Sequence, residues 1–438
     1  MLGKRLWARV LRVDRASIED VRFDERRVTT DEGETIEAAV IVSVRTYADE
    51  RRRCGICRRR SPRFDNGEGR RRWRGLDLGT TPCFFEADAP RVTCRTHGVV
   101  VVALPWARHA SRFTKDFEDQ VAWLASESSG SAVAELMRIT WRAVGAIVAR
   151  VAAEARSRSD PLEGLARIGI DEISHRKGHR YLVVVVDHDT GRLVWAAPGR
   201  DEATVGRFFD DLGEERAARL THVSADAASW IAGAVANRAP QAILCVDPFH
   251  VVSWVTDALD EVRREVWNEA RRAGNKALAG ELKGARYALW KNPEDLSSDQ
   301  RFRLAVVAKI NHPLYKAYLL KEQLRLVFRL PTRKALALLD SWLAWASRSR
   351  LAPFVEVART IRAHRQAIEA TLVHRLSNAL IESTNTKIRL IARRAFGFHH
   401  PEALIGLAML ALGGLCPALP GRRPPKAKNK DKTIRCGA

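Results

Sequence analysis

The order of predicted elements in residues 167 to 247 restricts the fold more than any other feature of this chain. Three strand candidates come first, IGIDEIS, YLVVVVD and RLVWAAP, and the short turns between them predict successive antiparallel hairpins. A helix, a strand, a second helix and a fifth strand follow, in ATVGRFFDDLG, THVSAD, ASWIAGAVANRA and AILCVD. We therefore expect one sheet that begins with hairpins and continues with βαβ units.

Hairpins followed by βαβ units are typical of a ribonuclease-H-like sheet, so the predicted fold class is α/β. From His250 to about Arg375 the pattern is almost wholly helical, with breaks near KNPEDLSS, NHP and LPTR. Because 156 positions separate Asp226 from Glu382, this helical block must be an insertion if Glu382 is to rejoin the sheet.

Three carboxylates fall at the ends of predicted elements. Asp171 lies in RIGIDEIS, Asp226 ends THVSAD, and Glu382 opens the amphipathic stretch IESTNTKIRLIARR. A carboxylate at the end of an apolar strand stays ionised readily only beside cations or hydrogen-bond donors. Three such groups converging would form an oxygen-rich site for magnesium, which suits two-metal phosphoryl transfer with ions about 3.5 to 4 Å apart.

The helix of Glu382 also carries groups suited to phosphate. Asn385, Arg389 and Arg393 follow at i+3, i+7 and i+11, so they share its face and are candidate DNA contacts. The alternative for Glu382 is a surface ion pair with Arg389 or a neighbour.

Asp247 and His250, in CVDPFH, are possible auxiliary residues. Asp247 is either a fourth acidic group or the cap of the helix that follows. His250 either contacts substrate, donates to a carboxylate, or is a satisfied core residue. The sequence contains no glycine-rich phosphate loop and no convincing nucleophile triad.

The charge of the chain predicts a polyanionic partner. Lys plus Arg number 74 against 52 Asp plus Glu, a formal charge of +22 with a pI near 10.3. Nucleic acid is favoured over bare solubility or an anionic membrane. Residues 51 to 74 hold eleven arginines and two acids. The candidate phosphate contacts there are Arg58, Arg59, Arg60, Arg71 and Arg72.

Cysteine usage predicts a reducing, cytoplasmic compartment and a metal site. The chain has seven cysteines and no apolar leader at its start, and its late stretch ALIGLAMLALGGLCPAL is better explained by a packed helix than by a membrane span. Cys54 and Cys57, followed by Cys94 and His97, form two knuckles of the type that hold one structural zinc ion. Cys83 is a possible substitute ligand, and free buried thiols are the alternative.

The segment from Thr114 to about Val151 predicts three short helices, each capped by Thr or Ser. This is a helix-turn-helix pattern, in which Thr140, Trp141 and Arg142 begin the helix that enters a major groove. Three packed helices that only link domains are the alternative.

These patterns predict a multidomain chain. The expected parts are a β-rich module (1–50), a zinc-knuckle region (51–104), a helix-turn-helix (112–155), the first part of the core (165–248), the helical insertion (249–375), two closing helices (376–416) and a basic disordered tail (417–438).

The order of zinc knuckles, helix-turn-helix, GIDE, VSAD, VDPFH, YALWKNPEDLSSDQ, LYKAYLLKEQLR and SNALIESTNTKIRLIARRAFGF resembles the ISL-three family of bacterial insertion-sequence transposases over nearly the full length. The resemblance implies a DDE-type transposase with its acidic triad on a ribonuclease-H-like fold. The triad matches Asp171 in GIDE, Asp226 in VSAD and Glu382 in IESTN, and Asn385 and Lys387 match the stretch after the glutamate. The last knuckle departs from the family, reading CRTH where a second CxxC is usual.

The resulting hypothesis is a nucleoid-associated enzyme that binds the terminal inverted repeats of its own element through residues 1 to 155. It would then cut and join DNA with two magnesium ions, for which manganese can substitute. We expect a homodimer or higher oligomer on DNA. The alternatives are a non-catalytic zinc and helix-turn-helix regulator, or a ribonuclease-H-like nuclease without joining activity.

Overall fold

The computed structural model describes residues 2–30, 33–176, 178–376, 378–398 and 400–422 of the 438-residue chain. The chain forms two compact units. The first comprises Met1–Asp160 together with Ile391–Ala438, and the second comprises Pro161–Leu390. Most of the predicted basic tail lies outside the described residues.

The first unit begins with a helix that the sequence analysis does not predict, and continues with strands. These elements are α1 (Leu2–Val10), β1 (Ala16–Thr30), β2 (Gly33–Thr46), β3 (Arg63–Asp65), β4 (Arg70–Arg74), β5 (Cys83–Asp88), β6 (Arg91–Cys94) and β7 (Gly98–Val101). One sheet has the order β1-β2-β5-β4, and the other has the order β3-β6-β7. Because β2 pairs with β5, residues 1–50 and 51–104, predicted as two modules, share one sheet.

Three capped helices follow, as the sequence predicts: α2 (Lys115–Glu127), α3 (Gly130–Met137) and α4 (Trp141–Arg158). The hydroxyls of Thr114, Ser129 and Thr140 each accept a hydrogen bond from a backbone amide of the first turn. Arg138 ends α3 in the left-handed conformation, with φ of 51°, and turns the chain sharply into α4. The helix-turn-helix prediction is confirmed at the level of secondary structure.

A buried ionic cluster joins these helices to the preceding loop. Glu118 on α2 has no exposed surface, and it accepts hydrogen bonds from Arg150 on α4 at 2.6 and 2.8 Å. Arg108 donates to Glu118 at 3.1 Å and to Asp119 at 2.6 Å, and Ser111 donates to Glu118 at 2.8 Å. A fully buried carboxylate is tolerated here because cations and a hydroxyl occupy both of its oxygens.

The second unit contains the predicted mixed sheet. Its elements are β8 (Arg167–Arg176), β9 (Arg180–Asp187), β10 (Leu193–Pro198), α5 (Glu202–Leu212), α6 (Glu214–Ala217), β11 (His222–Ala225), α7 (Ser229–Arg238) and β12 (Ile243–Val246). The strand order is β10-β9-β8-β11-β12. β8 and β10 are each antiparallel to β9, whereas β11 is parallel to both β8 and β12. The predicted hairpins and βαβ units are therefore confirmed.

The predicted helical insertion follows β12. It consists of α8 (Pro248–Arg272), α9 (Lys276–Gly284), α10 (Arg286–Trp290), α11 (Ser298–Ile310), α12 (His312–Val327), α13 (Thr332–Ser347), α14 (Ala352–Ala363) and α15 (Arg365–His374). Its apolar side chains form their own core around Trp342 and Phe354. The chain returns to the sheet where Thr371 on α15 donates to the Val246 carbonyl of β12 at 2.7 Å.

Two helices complete the chain, α16 (Ala379–Arg394) and α17 (Pro401–Leu412). α17 is the apolar late stretch, and it packs against α2 and α4 of the first unit. Among the described helices, none is both long enough and apolar enough to cross a membrane.

Replacing Glu118 should destabilise the first unit strongly. Glu118→Ala leaves Arg108 and Arg150 without their buried partner, so we expect a loss of about 3 to 5 kcal/mol in equilibrium urea unfolding. The matched control is Glu68→Ala, which removes the exposed ion pair with Arg71. That change should cost no more than about 1 kcal/mol. Equal losses in the two variants would contradict a stabilising role for the buried cluster.

Candidate active site

Strand register places three aspartates at one level of the second unit's sheet. Ser224 of β11 pairs with Gly169 of β8, so Asp171 and Asp226 each lie two residues further along neighbouring parallel strands. Ala225 pairs with Val246 of β12, which puts Asp247 level with Asp226. Side chains two residues apart on a strand point to the same face. The predicted first and second acids therefore lie side by side where β11 ends, although Asp171 itself is in the middle of β8, which continues to Arg176.

Asp171 is the most strongly perturbed of these acids. Its pKa is raised to about 6, mainly by burial and partly by the negative charge of Asp226. Two donors hold the carboxylate: the backbone amide of Glu172 at 2.8 Å and the Nδ2 of Asn385 at 2.8 Å. Asp226 is held in turn by the backbone amide of Ala228 at 3.1 Å.

Glu382 lies in the first turn of α16 and is exposed. Partial burial nonetheless raises its pKa, and the Asp247 carboxylate adds to this effect. Within the described residues Glu382 makes no ion pair with Arg389 or another neighbour, so the structure gives no support to the alternative of a surface ion pair. Among the described residues, the three predicted acids do not form a group of side chains close enough to hold a metal ion, in contrast to the Cys/His group below.

Asp247 and His250, the predicted auxiliary residues, lie among these acids. Asp247 is buried and its side chain does not cap α8; it accepts from the backbone amide of Asn378 at 3.3 Å and from the Nδ1 of His250 at 3.1 Å. This hydrogen bond raises the pKa of His250, and the charges of Asp226 and Asp171 act in the same direction. The neighbouring carboxylates thus favour the protonated form of His250.

Asn385 corrects one sequence prediction. It was expected on the phosphate-facing side of α16, but it is 3% exposed and its amide is turned to Asp171. Helical periodicity predicts which residues share one face of a helix, but it does not predict which part of the protein packs against that face. The three cations predicted on the same helix are exposed as expected; they are Lys387, Arg389 and Arg393.

The chemistry of this acidic edge fits a divalent cation. The Oδ1 of Asn385 is buried beside Asp171 and has no hydrogen-bond partner within the described residues. Carboxylate and amide oxygens are the ligands that magnesium and manganese prefer. A cation bound here would favour the ionised form of Asp171, whose pKa is raised by burial and, less strongly, by the charge of Asp226.

A group of side chains that could hold a metal ion lies in the first unit. The ligand atoms of Cys54, Cys57, Cys94 and His97 all lie within 4.8 Å of one another. The Sγ atoms of Cys57 and Cys94 are 3.7 Å apart, and the Nδ1 of His97 is 3.6 Å from the Sγ of both Cys54 and Cys94. Tetrahedral zinc, with bonds of about 2.3 Å to sulfur and 2.0 to 2.1 Å to nitrogen, requires separations of about 3.8 and 3.6 Å.

The local backbone favours this arrangement. Gly55 lies so close to β7 that a Cβ would meet the Val101 carbonyl oxygen at 2.5 Å. Hydrogen bonds from the amides of Thr96 and His97 lower the pKa of Cys94 to about 6, which favours the thiolate that zinc binds. Cys83 is not part of the group: burial within β5 raises its pKa to about 11. The set of ligands therefore ends with His97, and Cys83 is a core residue.

The predicted phosphate-binding arginines of the first unit are mostly paired with acids. The ion pairs are Arg58 with Glu50, Arg60 with Asp49, Arg71 with Glu68, and Arg72 with Asp24 and Glu86. Arg59 is exposed and has no ion pair among the described residues. A groove of about 790 Å³ is lined by Arg58, Arg71, Arg72, Arg91 and Arg112, among others.

The start of α4 is open to solvent. Trp141 is 61% exposed and Arg142 is exposed beside it, while Thr140 uses its hydroxyl to cap the helix. These two adjacent side chains on the first turn are therefore accessible to a DNA groove.

Cys/His turns and a helix-turn-helix, followed by an acid-lined mixed sheet with a helical insertion, define a DNA transposase of the DDE class. Three family models match in this order. They are a zinc finger of the transposases IS204, IS1001, IS1096 and IS1165 (50–97), a helix-turn-helix domain of transposase family ISL3 (102–152), and an ISL3 transposase DDE domain (168–407).

Whole-chain comparisons agree. The transposase for insertion sequence element IS1557 of Mycobacterium tuberculosis is 56% identical over 442 aligned residues, covering 96% of this chain and 98% of that protein. The transposase for IS1001 of Bordetella parapertussis is 30% identical over 303 residues, covering 68% and 73% respectively. The chain therefore belongs to the ISL3 family of insertion-sequence transposases.

The Cys/His group leads to a metal-removal experiment. Cys57→Ala removes one of four ligands, so we expect the purified protein to lose its single equivalent of zinc, measured by elemental analysis. The matched control is Cys83→Ala, a buried thiol outside the group, which should retain zinc. Zinc loss in the control with retention in Cys57→Ala would reverse the ligand assignment.

Proposed function

We propose that this transposase binds the terminal inverted repeats of its insertion sequence and cleaves and joins DNA at an acidic site formed by Asp171, Asp226 and Glu382. One contact carries the proposal. Asn385 lies three residues after Glu382 on α16 and donates to Asp171, 214 positions earlier in the chain. The helix of the third acid thus lies against the first acid after the whole insertion. The strand order of the sheet supports a ribonuclease-H-like core.

The three acids would hold two magnesium ions, with manganese as a substitute. Bound there, the ions would supply Lewis-acid stabilisation of the phosphoryl oxygens and a more acidic attacking hydroxyl. The protein's own contribution is positional. Asn385 and the amide of Glu172 fix the two oxygens of Asp171, and Asp247 orients the ring of His250. The His250 imidazolium would reduce acid repulsion before DNA arrives and would attract the scissile phosphate.

The first unit would bind DNA. Zinc would hold the Cys54 and Cys94 turns together, and the exposed first turn of α4 would enter the major groove. Arg59 and the arginines that line the groove would contact phosphates. Lys387, Arg389 and Arg393 would contact the DNA strand near the acids. We further propose a homodimer or higher oligomer on DNA in the bacterial cytoplasm, since two ends must be joined to one target.

Replacing an acid should abolish cleavage without loss of end binding. Asp226→Ala and Glu382→Ala should each lower the rate of cutting a labelled end duplex in magnesium by about 1000-fold or more, equivalent to several kcal/mol. Gel shifts on the same duplex should be unchanged. The matched control is Asp189→Ala, an exposed acid of the same sheet that pairs with Arg167. Wild-type cleavage by Asp226→Ala would falsify the assignment.

Replacing Arg142 should reduce sequence discrimination. If its guanidinium contacts a base edge, Arg142→Ala should weaken binding to the end duplex by about 1 to 3 kcal/mol and weaken binding to a scrambled duplex much less. Fluorescence anisotropy with both duplexes measures the difference. The matched control is Arg156→Ala, an exposed arginine in the last turn of the same helix. Similar losses on both duplexes would instead indicate a phosphate contact.

A further inference from the structure

A buried chain of polar side chains lies behind the acidic edge, and the reaction as proposed does not use it. Ser224, which has no exposed surface, donates to the Oδ1 of Asn378 at 2.6 Å. The Ser224 hydroxyl has one proton and gives it to Asn378. Its oxygen therefore accepts a hydrogen bond from the Nε2 of His188, 2.7 Å away. Burial lowers the pKa of His188, so the ring is neutral. The chain therefore runs from His188 through Ser224 to Asn378.

The first strand of the sheet leaves room for this chain at a glycine. A Cβ at Gly169 would lie 3.0 Å from the Nε2 of His188 and 3.1 Å from the Oγ of Ser224. Gly169 is two residues before Asp171, and Ser224 is two residues before Asp226. The polar chain thus crosses the two strands immediately behind the two acids.

Asn378 connects this chain to the third acid. It is 1% exposed and directly precedes α16, and its carbonyl accepts from the amide of Glu382 at 2.9 Å. The backbone amide of Asn378 donates to the carboxylate of Asp247, which also accepts a hydrogen bond from His250. Asn378 therefore contacts Ser224 on β11, the strand that precedes Asp226. It also contacts Asp247, which follows β12, and the first turn of α16, which carries Glu382.

We propose that His188, Ser224 and Asn378 are positioning residues that fix Glu382 relative to Asp171 and Asp226, and so set the affinity of the acidic site for divalent metal. The proposal rests on the proposed function. Its physical basis is that hydrogen bonds depend on direction and distance more strongly than apolar contacts do. The apolar contacts of α16 allow small shifts along and around the helix axis, whereas a buried hydrogen bond is lost when donor and acceptor move apart.

A role limited to stability explains the arrangement less well. Buried polar groups are often no more stabilising than apolar side chains of the same shape, so a core made only for stability would not need them. The Nδ2 of Asn378 is, moreover, buried without a partner within the described residues. An unpaired buried donor is unfavourable for stability. The contacts that the Oδ1 and the backbone of Asn378 make are therefore a better reason for an asparagine at this position.

The test is direct binding of manganese to the full-length, zinc-loaded protein without DNA, followed by electron paramagnetic resonance. Ser224→Ala removes the central hydroxyl and should weaken manganese binding by about 10-fold or more, as loss of groups that orient metal ligands does elsewhere. A lower proportion of folded protein would reduce the number of sites without changing this affinity. The affinity thus distinguishes positioning from a general loss of stability.

The matched control is Thr384→Val, which removes a buried hydroxyl of α16. Thr384 bonds only to the Leu380 carbonyl within α16, so manganese affinity should stay within about twofold of wild type. Gly169→Ala is a second test that removes no polar group. It should push His188 and Ser224 apart and weaken manganese binding in the same direction, which covers the case in which Ser224→Ala does not fold.

The outcomes separate the inference from the proposed function. If Asp226→Ala loses manganese and cleavage while Ser224→Ala and Gly169→Ala bind manganese as wild type does, the positioning role is overturned and the acidic site stands. If Asp226→Ala binds manganese with the same affinity as the wild-type protein, the acids do not form a metal site, and both proposals fall.

Discussion

Repulsion between neighbouring carboxylates is the constraint on which the second unit depends. Parallel register brings Asp171, Asp226 and Asp247 level on three adjacent strands, where burial removes much of the water that would otherwise screen them. Each acid is stabilised by a specific donor: the amide of Glu172, the amide of Ala228, and the amide of Asn378 respectively. Burial, and to a lesser degree the charge of Asp226, still raises the pKa of Asp171, and a site of this kind favours a bound cation.

The helical insertion meets a second requirement, because the third acid must arrive at this edge from a distant part of the chain. A flexible connection of such length would lose the position of Glu382, and the insertion avoids this by having its own core. Lys321 adds polar contacts that fix two helices of the insertion to each other. Its buried ammonium donates to the carbonyls of Leu289 and Lys291 at the end of α10, at 2.9 and 3.2 Å. The last helix then returns to β12 through Thr371.

Strand-level features of the site were predictable from sequence, whereas contacts between distant segments were not. Period-two runs and hairpin turns identified the sheet and the strands that bear Asp171 and Asp226. Asp226 directly follows β11 as expected, but Asp171 was expected at the end of an element and lies in the middle of β8. Asn385 was assigned to the wrong environment because periodicity does not report which surface covers a helix face. Ser224 and Asn378 gave no signal at all, since a buried serine in an apolar strand reads as an ordinary core residue.

The same limit applies to charge in the first unit. An arginine-rich segment predicts affinity for phosphate, but most of its guanidinium groups are already paired with carboxylates in the protein alone. The exposed pairs, such as Arg71 with Glu68, are worth little, so phosphate can replace that carboxylate at low cost, although the replacement leaves an acid facing the DNA. The pair of Arg58 with the buried Glu50 would cost more to break. Net attraction must then come from cations without such partners, of which Arg59 is one, and from the overall charge of +22. The pairing therefore lowers the strength of non-specific binding and leaves more of the discrimination to the open first turn of α4.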